Sequence, residues 1–190
     1  MLAERCFARS GLRSLAVPGS VEELGPGCFE HCGWLDQIHF ETGSKLKIIG
    51  EGAFRACPFD VIRIPDCVTT IERRAFWGCS GLQRFQLGKS SRLETLGEGA
   101  LMGCKRLTKL RFRGCLTAIG DACFAGCEKL RSVTIESDDS GDGGPNPLFL
   151  GYGAFDKTRI GWWQFPRDRV QVSRAQIGKF RAVLMNDPDA

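Results

Sequence analysis

An aliphatic residue followed five positions later by Phe recurs along this chain, as Leu2/Phe7, Leu24/Phe29, Ile49/Phe54, Ile71/Phe76, Ile119/Phe124 and Leu150/Phe155, with Leu96/Leu101 as the one substituted copy. The aliphatic positions lie 22, 25, 22, 25, 23 and 31 residues apart. A self-similar period of this size is the signature of a solenoid, whose units bury their apolar faces only against their neighbours. Length then counts units instead of setting the size of a globule. The chain has room for about seven of them. Any functional surface is itself expected to repeat.

Within each unit the residues after Phe alternate in the manner of a strand buried on one side. The columns are Leu12-Arg-Ser-Leu15-Ala-Val17, Leu35-Asp-Gln-Ile38-His-Phe40, Phe59-Asp-Val-Ile62-Arg-Ile64, Leu82-Gln-Arg-Phe85-Gln-Leu87, Leu107-Thr-Lys-Leu110-Arg-Phe112, Leu130-Arg-Ser-Val133-Thr-Ile135 and Ile160-Gly-Trp-Trp163-Gln-Phe165. Pro18, Pro65 and Pro166 end three of these strands, since proline cannot donate to a sheet ladder. A turn, a second apolar anchor such as Val21, Val68 or Leu116, and an aliphatic-Gly pair follow. The recurrent Gly points to an unusual φ or to close backbone approach between stacked coils. Segments such as Glu51-Gly-Ala-Phe-Arg-Ala-Cys57 place a small residue, Phe and Cys at helical spacing, which predicts one helical turn per unit.

The resulting line, Leu-x-x-Ile-x-Ile-Pro-x-x-Val-x-x-Ile-Gly-x-x-Ala-Phe-x-x-Cys, resembles the BspA-type leucine-rich repeat. The resemblance covers about residues 2 to 135 and is carried most closely by Phe59 to Cys79 and by the unit ending at Cys127. It implies an α/β repeat solenoid of the leucine-rich-repeat kind: right-handed and curved, with a parallel β-sheet on the concave face and short or helical turns on the convex one. It also implies roles in protein interaction, adhesion or surface recognition, and no shared catalytic residues.

Four segments follow from the pattern and its departures. Residues 1–135 form the repeat array of about six units. Residues 136–149, acidic and rich in Gly and Pro, read as a loop insertion. Its Asp138, Asp139 and Asp142 lack the alternating acids and distal Glu of an EF-hand, so a solvated linker is favoured over a calcium site. Residues 150–170 are an atypical terminal repeat, with Thr158 where Cys is usual and with Trp162 and Trp163 in the strand. Residues 171–190 are a C-terminal helix and tail. Ser173 is the N-cap of a helix to Met185 that presents Ile177, Phe180 and Leu184 and caps the array; a partner-binding tail is the alternative.

The ten cysteines raise metal and redox chemistry first, but the repeat register accounts for all of them. Cys32, Cys57, Cys79, Cys104 and Cys127 lie three beyond the Phe position. Cys6, Cys28 and Cys123 precede it, and Cys67 and Cys115 are turn residues. Columns of small buried thiols suit a tight stack. Adjacent strands bring stacked cysteines within disulfide range, although in-register side chains point in parallel. No C-x-x-C pair exists and His31 and His39 are the only histidines, so no metal or cofactor is expected.

The variable strand positions remain as the recognition surface. One column reads Ala16, His39, Arg63, Gln86, Arg111, Thr134, Gln164, and another Ser14, Gln37, Val61, Arg84, Lys109, Ser132, Trp162. They concentrate Arg63, Arg84, Lys109 and Arg111 in neighbouring strands, with His39 to one side and Trp162 toward the other end, a docking surface for an acidic or extended protein. The net charge of +4 is mild and no long run of like charge appears, so nucleic acid is not expected. There is no Ser/His/Asp set, phosphate loop or distinctive carboxylate pair, which disfavours an enzyme, thiol- or metal-dependent. The expectation is a non-catalytic interaction scaffold, monomeric unless its open ends pair. No signal-like or membrane-spanning run is present, which places a complete chain in the cytoplasm. Leu2 and Phe7, however, already stand in mid-unit with no polar cap before them. The alternative is therefore a fragment of a cell-surface adhesin of the same family.

Overall fold

Each unit contributes a broad strand and a short one, as its two apolar anchor segments require. The structure, a computed structural model, describes residues 1–113, 115–136, 147–160, 162–164 and 170–172. The broad strands are β1 (Ser14–Val17), β3 (Gln37–Phe40), β5 (Val61–Ile64), β7 (Arg84–Leu87), β9 (Lys109–Phe112), β11 (Ser132–Ile135) and β13 (Trp162–Gln164). Between them come β2 (Glu23–Leu24), β4 (Ile48–Ile49), β6 (Thr70–Ile71), β8 (Thr95–Leu96), β10 (Ala118–Ile119), β12 (Leu148–Leu150) and β14 (Val170–Val172). Every pairing is parallel and joins one unit to the next, the arrangement of a parallel β-solenoid.

The short strands form one unbroken sheet from β2 to β14. Its aliphatic residues, Leu24, Ile49, Ile71, Leu96 and Ile119, are fully or almost fully buried. The glycine that follows them is required by close approach. A Cβ on Gly25 would lie 2.6 Å from the Leu2 carbonyl oxygen, and one on Gly120 2.5 Å from the Glu98 nitrogen. Peptide groups therefore set the spacing of the coils here. Glu72 holds this column in the fourth unit, where its carboxylate accepts a bond from the Glu51 N–H at 2.9 Å.

The expected helical turn does not form; among the described residues there is no helix. Residues two before and two after each Phe sit at positive φ, whether glycine (Gly27 at 60°, Gly78 at 71°) or not (Arg5 at 50°, His31 at 57°, Ala56 at 56°). Left-handed residues at both ends cannot sit inside a right-handed helical turn. The hydrogen bonds explain what replaces it. Alternate N–H groups, on Gly27, Phe29 and His31, donate to Glu51, Ala53 and Arg55 of the next unit, at 2.7, 2.7 and 2.8 Å. The N–H groups between them, on Cys28, Glu30 and Cys32, close tight turns onto the residue three earlier. A third inter-unit ladder thus occupies the place assigned to helix. The helix expected over 173–185, with its cap or tail role, lies outside the described residues, as do positions 137–146 of the insertion.

The core is a stack of like residues. Phe7, Phe29, Phe54 and Phe76 lie ring on ring at centroid spacings of 5.4, 5.2 and 5.2 Å. Leu101 interrupts the stack, which resumes with Phe124 on Phe155 at 5.1 Å. Phe59, just before β5, and Phe85, in β7, meet these rings edge-on.

The cysteine column has a role beyond filling space. The thiols of Cys32, Cys57, Cys79, Cys104 and Cys127 donate to the carbonyls of Phe7, Phe29, Phe54, Phe76 and Leu101 in the preceding unit, at 2.9 to 3.3 Å. Each of those carbonyls also accepts the N–H of the residue three positions on in its own unit. Both lone pairs of a buried oxygen are thereby used, which alanine in the column would leave undone.

Candidate functional site

The broad sheet is discontinuous. β1 pairs with β3 over four residues, and so do β5 with β7 and β9 with β11. β3 and β5, in contrast, belong to separate sheets, and β7 meets β9 only at Arg84 and Lys109. Both losses follow a unit with a long turn. Phe40 to Ile49 and Leu87 to Leu96 span nine positions, whereas Val17 to Leu24, Ile64 to Ile71 and Phe112 to Ile119 span seven. Successive broad strands start 23 residues apart where the ladder is whole, and 24 and 25 apart where it fails. With the coil spacing fixed by peptide contact elsewhere, the surplus residues are accommodated in the broad sheet. β13 still pairs with β11 after the longest interval, through Ser132↔Trp162 to Thr134↔Gln164.

A cleft marks each loss. The first, of about 770 Å³ between β3 and β5, is lined by Asp36, His39, Asp60, Arg63, Asp66 and Arg84 among others. The second, of about 1150 Å³ along β7 and β9, brings together Arg63, Arg84, Lys89, Lys109, Arg111 and Arg113, with Glu136 as the acid at its edge. Acids dominate the first cleft and cations the second, and Arg63 and Arg84 line both.

The five expected contact residues for which side chains are described are all exposed on the broad-sheet face. Arg84 and Lys109 are register partners, and the Arg63 guanidinium donates to Gln86 Oε1 at 2.9 Å. His39 stands apart, across the β3–β5 opening, within 3.4 Å of Gln37 Oε1. Trp162 is placed by backbone register beside Ser132, in the row that contains Lys109. Arg113 and Glu136 belong to the site as well, although sequence reading had put Glu136 at the start of the loop. Its two carboxylate oxygens are bonded separately, one to Arg111 and one to Arg113. A second cation two residues after Arg111 was the available signal.

Charge is distributed differently on the turn side. There Glu30 lies between Arg5 and Arg55 at 3.8 and 3.3 Å, and Glu98 between Arg73 and Arg74 at 3.3 and 3.7 Å. The Arg55 guanidinium also lies 4.4 Å over the Trp77 ring. Acid and base neutralise one another along that ladder. On the broad-sheet face Arg63, Arg84 and Lys109 have no ion pair among the described residues. Burial pushes the Cys79 and Cys127 thiols up to about 12 and likewise raises Cys57 and Cys104, so these four core thiols offer no reactive centre. No cluster of three or more His, Cys, Asp or Glu residues suited to a metal ion occurs among the described residues, and no helix among them is long and apolar enough to cross a membrane.

A parallel solenoid of short units with Leu/Ile, Phe and Cys columns defines the leucine-rich-repeat class. The chain belongs to the family described as BspA type leucine rich repeat region, whose profile matches residues 47–143 in six copies. No curated protein matches it. Among solved structures, a leucine-rich repeat protein from Bacteroides ovatus is similar at 29% identity and a TM-score of 0.62, over 85% of this chain and 45% of that one. The leucine-rich repeat protein of T. pallidum is similar at 22% identity and a TM-score of 0.72, over 97% of this chain and 76% of that one. The pneumococcal vaccine antigen PcpA matches in fold at 18% identity and a TM-score of 0.60, over 80% of this chain and 50% of its own. The chain thus spans about half the length of the Bacteroides and pneumococcal proteins.

Proposed function

We propose that this chain is a non-catalytic protein-interaction scaffold whose broad-sheet face, the concave side in the leucine-rich-repeat reading, takes an acidic, extended segment of a partner protein across β5, β7 and β9. The observation that carries the reading is the uncompensated charge in the second cleft. Arg63, Arg84 and Lys109 share one face and form no ion pair among the described residues, whereas on the turn side Glu30 and Glu98 each lie between two arginines. Like charges on adjacent strands repel, and a carboxylate-bearing partner relieves that cost while gaining steering and specificity. Glu136 supports the choice of carboxylate, since its two oxygens already divide between Arg111 and Arg113. His39 and Trp162 would extend contact toward the two ends of the sheet.

The test is binding of a Glu/Asp-rich peptide by fluorescence anisotropy, comparing the native chain with the Arg84→Glu/Arg111→Glu double variant. Affinity is expected to fall at least tenfold in the variant, and to fall with rising salt in the native chain, with thermal unfolding unchanged. Undiminished binding by the variant removes this face from consideration.

A second reading, a repeat segment of a longer surface-recognition protein, is supported by the half-length coverage of the Bacteroides and pneumococcal structures. Sequencing the transcript beyond both ends for a signal or anchor tests it. A transcript coding for neither leaves a cytoplasmic scaffold.

A further inference from the structure

One pair of cysteines is arranged unlike the rest. The five thiols that follow the Phe column are each directed at a carbonyl of the preceding unit, and the turn thiols of Cys67 and Cys115 are directed at the Ser44 and Ser91 carbonyls. Cys6 and Cys28, neighbours in the column before Phe, face one another instead, with their sulfurs 3.2 Å apart. The remaining cysteine of that column, Cys123, has Ala100 and Ala154 in the flanking units and so no thiol next to it within the column. The backbone holds the pair from both sides: Phe7 N–H donates to the Cys28 carbonyl and Arg5 N–H to the Pro26 carbonyl, each at 2.9 Å. Strands at this spacing meet the Cα separation that a disulfide needs. Exposure divides the roles, since Cys6 is open to solvent and Cys28 is fully buried.

We propose that Cys6 and Cys28 form a reversible disulfide by exchange with a small-molecule disulfide of the glutathione type, tying the first coil to the second. The Cys6 thiol loses its proton, and its sulfur attacks one sulfur of the small disulfide. A Cys6 mixed disulfide forms and one small thiolate leaves, taking up that proton. Cys28 then gives up its proton as its sulfur attacks the Cys6 sulfur. The bond to the small molecule breaks, and a second small thiol leaves with the proton. In balance, two protein thiols lose two electrons and the small disulfide is reduced to two thiols. Burial and the neighbouring Cys6 raise the Cys28 thiol, which leaves the first attack to exposed Cys6. The bond would add a covalent link between two successive coils where backbone bonds already join them, from Arg5 to Pro26 and from Phe7 to Cys28.

The whole chain is equilibrated in glutathione buffers from reducing to oxidising, quenched in acid, denatured, alkylated and mapped by mass spectrometry. The expected result is a single linked pair, Cys6–Cys28, leaving eight of the ten thiols free, with amide exchange over residues 2–12 slowed at least tenfold on oxidation. The Cys28→Ala variant adopts the residue that Ala53, Ala75 and Ala100 already supply in this column. It should unfold as the native chain does and stop at a Cys6 mixed disulfide. The Cys6→Ala variant, altered at an exposed position, should take up no small thiol under the same conditions. Ten free thiols in the oxidising buffer, a linkage between other cysteines or between two chains, or amide exchange that ignores oxidation overturns the proposal.

Discussion

The two sides of the coil solve the same stacking problem differently. Along the short strands and the turn ladder, every unit meets the next through backbone bonds in an unbroken run from β2 to β14, and glycine lets peptide groups touch. Along the broad strands the ladder opens once and narrows once, and the exposed positions vary freely in size and charge. Regularity is concentrated where the backbone sets the distances, and variation where only side chains are displayed. A recognition protein of this build can change its binding face while its stack stays the same.

Raising the pH should break the regular side first. A thiol whose value in the folded chain is raised binds its proton more tightly there than in the unfolded chain. Its stabilisation is therefore intact below the unfolded value near 8.5 and is lost as pH climbs toward the folded one. Cys79 and Cys127, at about 12, should each lose about 1.4 kcal/mol per pH unit above that onset. Unfolding followed by circular dichroism is expected well below pH 12, and the Cys79→Ala/Cys127→Ala double variant should show a shallower loss. A flat profile to pH 12 would mean that these thiols are not protected by the stack.

Phe54→Ala comes next. It removes a ring stacked on Phe29 and Phe76 and is expected to cost about 3–5 kcal/mol in denaturant unfolding. Deleting Gly43 alone brings the starts of β3 and β5 to the 23-residue spacing found where the ladder is whole, and should leave stability within about 1 kcal/mol. Its signature is structural: amides of Val61–Ile64 should gain exchange protection as β3 and β5 join. Unchanged protection would show that turn length is not what opens the sheet. The Arg84→Glu/Arg111→Glu reversal stands last on the stability scale, within about 0.5 kcal/mol, although its effect on binding should be the largest of the series.

Much of this architecture was legible before any coordinates. Ile62 and Ile64 face the core with Arg63 between them exposed, as the alternation required, and all ten cysteines fall in the columns assigned. The short strands were not recognised as strands, since two residues give no period to read; they exist only through the units on either side. The turn was misread as helix because small residue, Phe and Cys recur at helical spacing. Ordinary residues such as Arg5, His31 and Ala56 give no hint that they will be held at positive φ, and it is the neighbouring unit's hydrogen bonds that hold them there. The thiol-to-carbonyl bonds were missed for the same reason, since their acceptors belong to another repeat. At the site, Arg63, Arg84, Lys109 and Arg111 were foreseen as neighbours. The clefts were not, because they depend on a one- or two-residue surplus between strands that are distant in sequence.

The contact at the glycine column also gives the array a metric. With peptide resting on peptide, the rise from unit to unit is fixed near the spacing of adjacent strands, about 4.8 Å, whatever side chains face outward. Within each fully paired stretch the broad sheet is then graduated like a scale, with one mark per unit, and substitution rewrites the symbol at a mark without moving the mark. A ligand whose own repeat matches that graduation stays in step along such a stretch. One that does not falls out of phase after a few units, so periodicity in the ligand becomes a criterion of selection.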